Sequence, residues 1–252
     1  VRAAGPFDAA DLAELDERLL SRATRVVPMR DVFKGDAGER VIGLRHDVDD
    51  NEGSLETALR LAEWECEHGY ASTYFLLHDS HYWGDDMLVV AEQLEELGHE
   101  VGIHVNAIAE ALRQCRDPNV ILLEALTYLR AAVRVVGCVA HGDSLCQRGG
   151  SLLFVNDELF SESPRPEVGS ASRLITTGEG YEFPLAPIPR STYGLEYDAN
   201  WLSRGDYLSD SGARWSQPFE HVVSGFGERG QLHILQHPDW WIQAFVSEEV
   251  AA

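Results

Sequence analysis

Lysine is almost absent from this chain. Of its 20 basic residues only Lys34 is not an arginine, and they stand against 42 acidic ones, for a net charge of −22. So acidic a chain is poorly suited to phosphate neutralisation, which argues against a nucleic-acid partner and against an anionic membrane surface. Long apolar runs are missing too, and nothing approaches the ~20 residues of a membrane span. Cys66, Cys115, Cys138 and Cys146 form no C-x-x-C pair. Cys138 and Cys146 flank "VAHGDSL" and read as ordinary buried thiols rather than a disulfide or a ligand pair. The first residues, "VRAAGPFDAADLAELDERLL", read as an acidic amphipathic helix over 8–21. They lack the basic end and apolar middle of a signal peptide, so the expected location is cytoplasmic. There is no internal repeat, no low-complexity tract and no clear linker. A single domain over 1–252, with its core at about 40–245, is the expectation, and 44% apolar residues suffice to fill it.

What is present is alternation. "RVIGLRHDVD" reads as a strand and "SLETALRLAEWECEHG" as a helix, with Ser54 placed to cap it and Gly69 to stop it. "ASTYFLLH" is a second strand, "DDMLVVAEQLEELG" a helix closed by Gly98, and "HEVGIHV" a third strand. "NVILLEALTYLRAAV" is helical and "VVGCVAHG" strand-like. Such a sequence implies parallel strands joined by crossover helices. The second half is less regular. "SESPRPEVGSAS" reads as a loop, "YEFPLAPIPR" as an edge strand at best, and "LHILQH" as one last clear strand.

The ionisable residues gather at the ends of these apolar runs. Asp47 and Asp49 close the first strand, His104 the third, His141 the fourth and His237 the last. In a parallel α/β sheet those ends share one face, where ligands bind. Asp47 and Asp49 lie two apart and so project to the same side, while His46 points the other way. Carboxylates and imidazoles packed together need compensation, and a divalent cation supplies it. Asp and His donors suit zinc, and also cobalt, nickel or iron. His78 and His81 read as loop residues at the rim.

These segments, in order, resemble the polysaccharide deacetylases: "RHDVD" (45–49), "STYFLL" (72–77), "GHEVGIHVN" (98–106), "VAHGDS" (139–144), "YLSDSGARW" (207–215) and "LHILQHPDWW" (232–241). This is the NodB-homology group, carbohydrate esterase family 4, in a divergent branch found among O-antigen and cell-surface polysaccharide genes. The resemblance implies a distorted seven-stranded (β/α) barrel. It implies Asp47 as general base, Asp49 and His104 as metal ligands, and His237 as the acid that protonates the leaving group. The family's second metal histidine falls at Ile108, a departure for which His141 could compensate. Trp240 and Trp241 could wall an acyl or sugar pocket, and Arg45, Arg173 or Arg190 could meet an anionic group of the substrate. The expected function is a metal-dependent deacetylase acting on an N-acylated sugar or a related small metabolite. Two other readings stay open: a barrel metallohydrolase for another amide or a phosphoester, and a carbohydrate-binding domain without catalysis.

Overall fold

Apolar runs in the chain condense into strands that are buried on both faces, the pattern of a parallel sheet covered by helices. The structure is a computed structural model, which describes residues 6–35, 40–148, 151–152, 155–163, 173–176, 182–202 and 206–249. Its strands are β1 (Arg25–Val27), β2 (Val41–Val48), β3 (Thr73–Leu77), β4 (Glu100–Val105), β5 (Gly137–Ala140), β6 (Tyr197–Asp198), β7 (Asp206–Ser209) and β8 (Gln231–Gln236). They pair in the order β6-β5-β4-β3-β2-β8-β7, and β1 lies beside the first half of β2. Every ladder of this sheet is parallel. The seven-strand path curls into a half-barrel, the distorted (β/α) barrel anticipated from the sequence.

Helices make the crossovers. The helix α1 (Ala9–Arg18) precedes the sheet, and α2 (Met29–Lys34) joins β1 to β2. Beyond β2 come α3 (Ser54–Glu67), α4 (Asp85–Glu96), α5 (Ala107–Gln114) and α6 (Pro118–Leu129). The last two are α7 (Phe219–Arg229) and α8 (Ile242–Glu249). Asp8 caps α1 in a reciprocal box with Asp11. The expected cap at Ser54 is not made. Gly53, in the left-handed region, takes the N-cap position, and Ser54 begins the helix with its hydroxyl buried and unbonded. Two segments form antiparallel ribbons outside the sheet: 147–148 with 151–152, and 173–176 with 182–185. The expected edge strand in "YEFPLAPIPR" belongs to the second. Most of the expected loop "SESPRPEVGSAS" lies outside the described residues. No helix among the described residues is long and apolar enough to cross a membrane.

One close approach sets the register that matters for the site. A Cβ on Gly102 would meet the Phe75 ring at 2.4 Å, so only glycine lets β3 and β4 lie as they do, with His104 opposite Leu77. On β2 the alternation is strict. His46 faces away from the cavity described below, its Nε2 2.7 Å from the buried Glu65 carboxylate and its ring stacked on Tyr74. Arg45 and Asp47 face the other way.

Candidate metal centre and active site

The C-terminal ends of β2, β4, β5 and β8 open onto a cavity of about 510 Å³. Asp47 reaches it from the last turn of the pleat in β2, and Asp49 from the residue after that strand. His104 comes from β4, His141 from one residue past β5 and His237 from one residue past β8. Five residues spread over 190 positions of sequence thus meet because parallel strands end on one side.

Three of them form a compact donor triangle. His104 Nε2 and Asp49 Oδ1 are 3.4 Å apart, His141 Nδ1 and Asp49 Oδ1 3.3 Å, and His141 Nδ1 and His104 Nε2 3.1 Å. A tetrahedral ion with bonds of ~2.0–2.1 Å has donor-to-donor edges of about 3.3–3.4 Å. The three atoms therefore have the spacing of one face of such a tetrahedron. The chemistry of the donors agrees. His104 Nδ1 lies 3.1 Å from the Val139 carbonyl and can only donate to it, which leaves the lone pair on Nε2 facing the triangle. Asp49 Oδ1 is buried with no well-aligned hydrogen bond. Burial alone would raise the Asp49 carboxyl, but the two imidazoles hold it well below the usual carboxylate range. Burial lowers His141, yet Asp49 and the nearby Asp79 and Asp143 carry it above the ordinary imidazole value. Asp49, His104 and His141 fit a divalent cation.

Two further groups flank the triangle. Asp47 is almost wholly buried. Its Oδ2 accepts from Arg45 Nη2 at 3.1 Å and stands 4.0 Å from His104 Nε2, while its Oδ1 has no hydrogen-bond partner. Arg45 is itself held on the other side by Asn200 Oδ1, 3.2 Å from Nη1. Burial works against the Arg45 guanidinium, and Asp47, Tyr207 and Asp198 around it keep it charged. His237 rests on Asp210: its Nδ1 is 2.6 Å from Oδ1, and its backbone N–H donates to both carboxylate oxygens. Burial lowers the ring, but Asp210, with Asp47 and Asp49 further off, pushes it up to about 9. That pair stabilises the fold fully below the free imidazole value near 6.5, and the contribution is lost as pH rises through about 9.

The tryptophans of "HPDWW" need a correction. Neither Trp240 nor Trp241 lines the cavity. A short 3-10 turn over Pro238–Trp241 carries both away from the strand end and against α3 and α8. Trp241 is wholly buried, stacked on Phe7 at 4.6 Å, and its Nε1 donates to Asp210 Oδ2 at 2.8 Å. It thereby fixes the carboxylate that holds His237. Trp240 is half-buried against the core, and its carbonyl accepts from the Phe7 N–H. The cavity wall takes its aromatic surface from Trp201, 43% exposed, and from Tyr207. Arg45 does line the cavity, but its guanidinium is spent on Asp47 and Asn200. Arg190 is not in the wall and sits over the Phe160 ring, and the side chain of Arg173 lies outside the described residues.

His78 is buried and accepts the Asn106 N–H on Nε2, and burial, with His104 and His141 nearby, pushes it down to about 4. His81 is an exposed partner of Asp50. Ile108, where the family motif has its second histidine, is buried on α5 and donates its backbone N–H to Asn156 Oδ1. Asn200 and Trp201 carry no signal of their own in the sequence, because they sit on a turn of three residues, and Asp210 lies just past a strand of four.

No family model matches the sequence, and no curated protein matches it. Among solved structures the fold is similar to that of a Streptococcus mutans CE4 esterase. The TM-score is 0.41 at 11% identity, over 88% of this chain and 82% of that one. So distant a likeness carries no argument about chemistry, which rests on the geometry above.

Proposed function

We propose that this protein is a metal-dependent amide hydrolase that removes an acyl group from an N-acylated sugar or a related small metabolite. The observation that carries the reading is the donor triangle of Asp49, His104 and His141, flanked in one cavity by a carboxylate with an unpaired oxygen and by a protonated imidazole. The resemblance of the ordered segments to polysaccharide deacetylases supports it. A divalent ion, for which zinc suits the donors best and cobalt, nickel or iron would also serve, supplies Lewis-acid polarisation of the acyl oxygen and acidifies water.

The chain's own residues do the rest. Arg45 holds Oδ2 of Asp47 beside the triangle, and with Oδ1 left without a hydrogen-bond partner the carboxylate keeps the capacity to take the proton of the attacking water. Arg45 is thus a positioning residue that acts through the base. His237 is protonated at neutral pH and delivers its proton to the departing amine nitrogen as the C–N bond breaks. Asp210, itself held by Trp241, fixes the ring and its charge. Water supplies the hydroxyl to the acyl carbon, and the products are a carboxylate and an amine. The face of Trp201 suits the apolar side of a sugar ring.

The direct test is amine release from N-acetylated amino sugars by the zinc- or cobalt-loaded protein. Absence of release, with a metal stoichiometrically bound, would leave a binding domain. Phosphate release from phosphoesters would point to the other hydrolase class.

A pH profile tests the acid. The alkaline limb of kcat is expected near 9, where His237 loses its proton. Asp210→Asn removes the charge that raises it, so the limb is expected to move down by about one unit or more. A limb that stays in place would detach His237 from the reaction.

The cavity bears on substrate size. Its volume of about 510 Å³ suits one sugar residue with a modest appendage rather than a polymer face. Amine release is expected to be faster from soluble N-acyl amino sugars than from chitin oligomers or peptidoglycan at equal acyl concentration. The reverse order would refute the assignment of a small substrate.

A further inference from the structure

The donor triangle depends on His141, a residue that follows its strand and belongs to no helix or sheet. His104 has its ring set by the Val139 carbonyl, but no described residue bonds Nε2 of His141, so apart from the triangle contacts of Nδ1 its placement comes from the backbone. Both peptide groups that flank it are clamped. Its N–H donates to the Val105 carbonyl at 2.8 Å. Its own carbonyl accepts from Asn156 Nδ2 at 2.9 Å. Asn156 is wholly buried on the 3-10 turn Val155–Leu159, and its amide holds three groups of the site. Nδ2 also donates to Asn106 Oδ1 at 2.9 Å, and Oδ1 accepts the Ile108 N–H at 3.0 Å.

Asn106 is fixed in turn. Its Nδ2 donates to Asp79 Oδ2 at 2.7 Å and to Asp143 Oδ2 at 2.9 Å. One buried side-chain amide therefore ties together the end of β4, the first turn of α5 and the residue after β5. Such a bond is costly to leave unmade on either side.

We propose that Asn156 is a positioning residue for the metal centre: it sets His141 as the third ligand by holding the carbonyl of that same residue. The inference rests on the metal reading above and adds to it a residue from a segment that contributes no ligand. The neighbouring Asp157 lines the cavity wall.

The test is a double-mutant cycle read by metal affinity rather than turnover. Cobalt binding is followed by its visible absorption, with zinc as competitor, in the wild type, Asn156→Ala, His141→Ala and the double variant. Asn156→Asp is measured alongside, because it keeps the acceptor for the Ile108 N–H and replaces the donor by a carboxylate oxygen that repels the His141 carbonyl. Loss of an outer-shell partner of this kind costs ~10–100-fold in metal affinity. That loss is expected in both Asn156 variants when His141 is present. It is expected to vanish in the His141→Ala background, since a residue acting through His141 has nothing left to position. Unchanged cobalt affinity, an equal loss in both backgrounds, or loss of the fold in both Asn156 variants would overturn the proposal and make Asn156 a packing residue. A wild-type chain that binds neither ion would overturn the metal reading, and this inference with it.

Discussion

Asp47→Asn is expected to lower kcat by ~10²–10⁴-fold, the range that a positioned general base supplies, and to leave metal affinity within a few-fold of the wild type. The substitution keeps the size and planarity of the group and one oxygen for Arg45 Nη2 to donate to, at the position now 3.1 Å away. It removes the lone pair that accepts the proton, because the second position becomes an NH₂ donor. Asp47 is not part of the donor triangle, since its nearer oxygen stands 4.0 Å from His104 Nε2. The measurement is kcat and KM on the best N-acyl substrate, with cobalt absorption as the independent check on the site. Near-normal turnover would mean that Asp47 only neutralises Arg45. Loss of cobalt binding together with turnover would move Asp47 into the ligand set. Arg45→Lys offers a second view of the same contact. A lysine ammonium cannot span Asp47 and Asn200 as the guanidinium fork does, so kcat is expected to fall while KM changes little.

The parts of this site legible in the sequence are those governed by strand geometry. Asp47 and Asp49 stand two apart at the end of an apolar run, and the period of two alone puts them on one side. The same rule makes Arg45 a neighbour of Asp47, a contact that its parity already implied, although the sequence suggested a substrate anion as its partner. His104, His141 and His237 were visible because each ends an apolar strand in a chain whose alternation demands parallel pairing. What escaped has a different physical origin. Asp210 lies past a four-residue strand with no periodic signal, and its role comes from pairing with a residue 27 positions later. The tryptophans after His237 were misplaced because the turn at Pro238 redirects them into the core, and a strand pattern says nothing about the path taken once the strand ends. The helix α5 was missed because eight residues, "AIAEALRQ", are too few to separate helix from loop by periodicity. Asn156 could not be found at all from sequence. A buried amide bridging three segments looks, residue by residue, like any polar position in a loop.

His104→Ala is expected to reduce bound metal from one ion per chain to a trace, a larger loss than the ~10–100-fold that removal of an outer-shell contact produces. His104 is the ligand with the best-defined donor atom, since its Nδ1 is committed to Val139 and its Nε2 stands 3.4 Å from Asp49 Oδ1 and 3.1 Å from His141 Nδ1. Removing the ring deletes one vertex of the triangle and leaves two donors, which bind an ion weakly enough to be titrated but not to survive dialysis. The fold should survive the change. The ring is buried and one carbonyl loses its donor, which costs about 1–3 kcal/mol. The control is His81→Ala, whose side chain is exposed and paired with Asp50 outside the triangle; it is expected to keep full stoichiometry. Metal content of dialysed protein, thermal midpoints with and without added zinc, and cobalt absorption together decide the outcome. A His104→Ala variant that still holds one ion with unchanged affinity would remove this residue from the ligand set and shift the centre toward Asp47 and His237. A variant that loses metal but regains amine release on addition of imidazole would place the defect in the missing donor rather than in a disturbed fold.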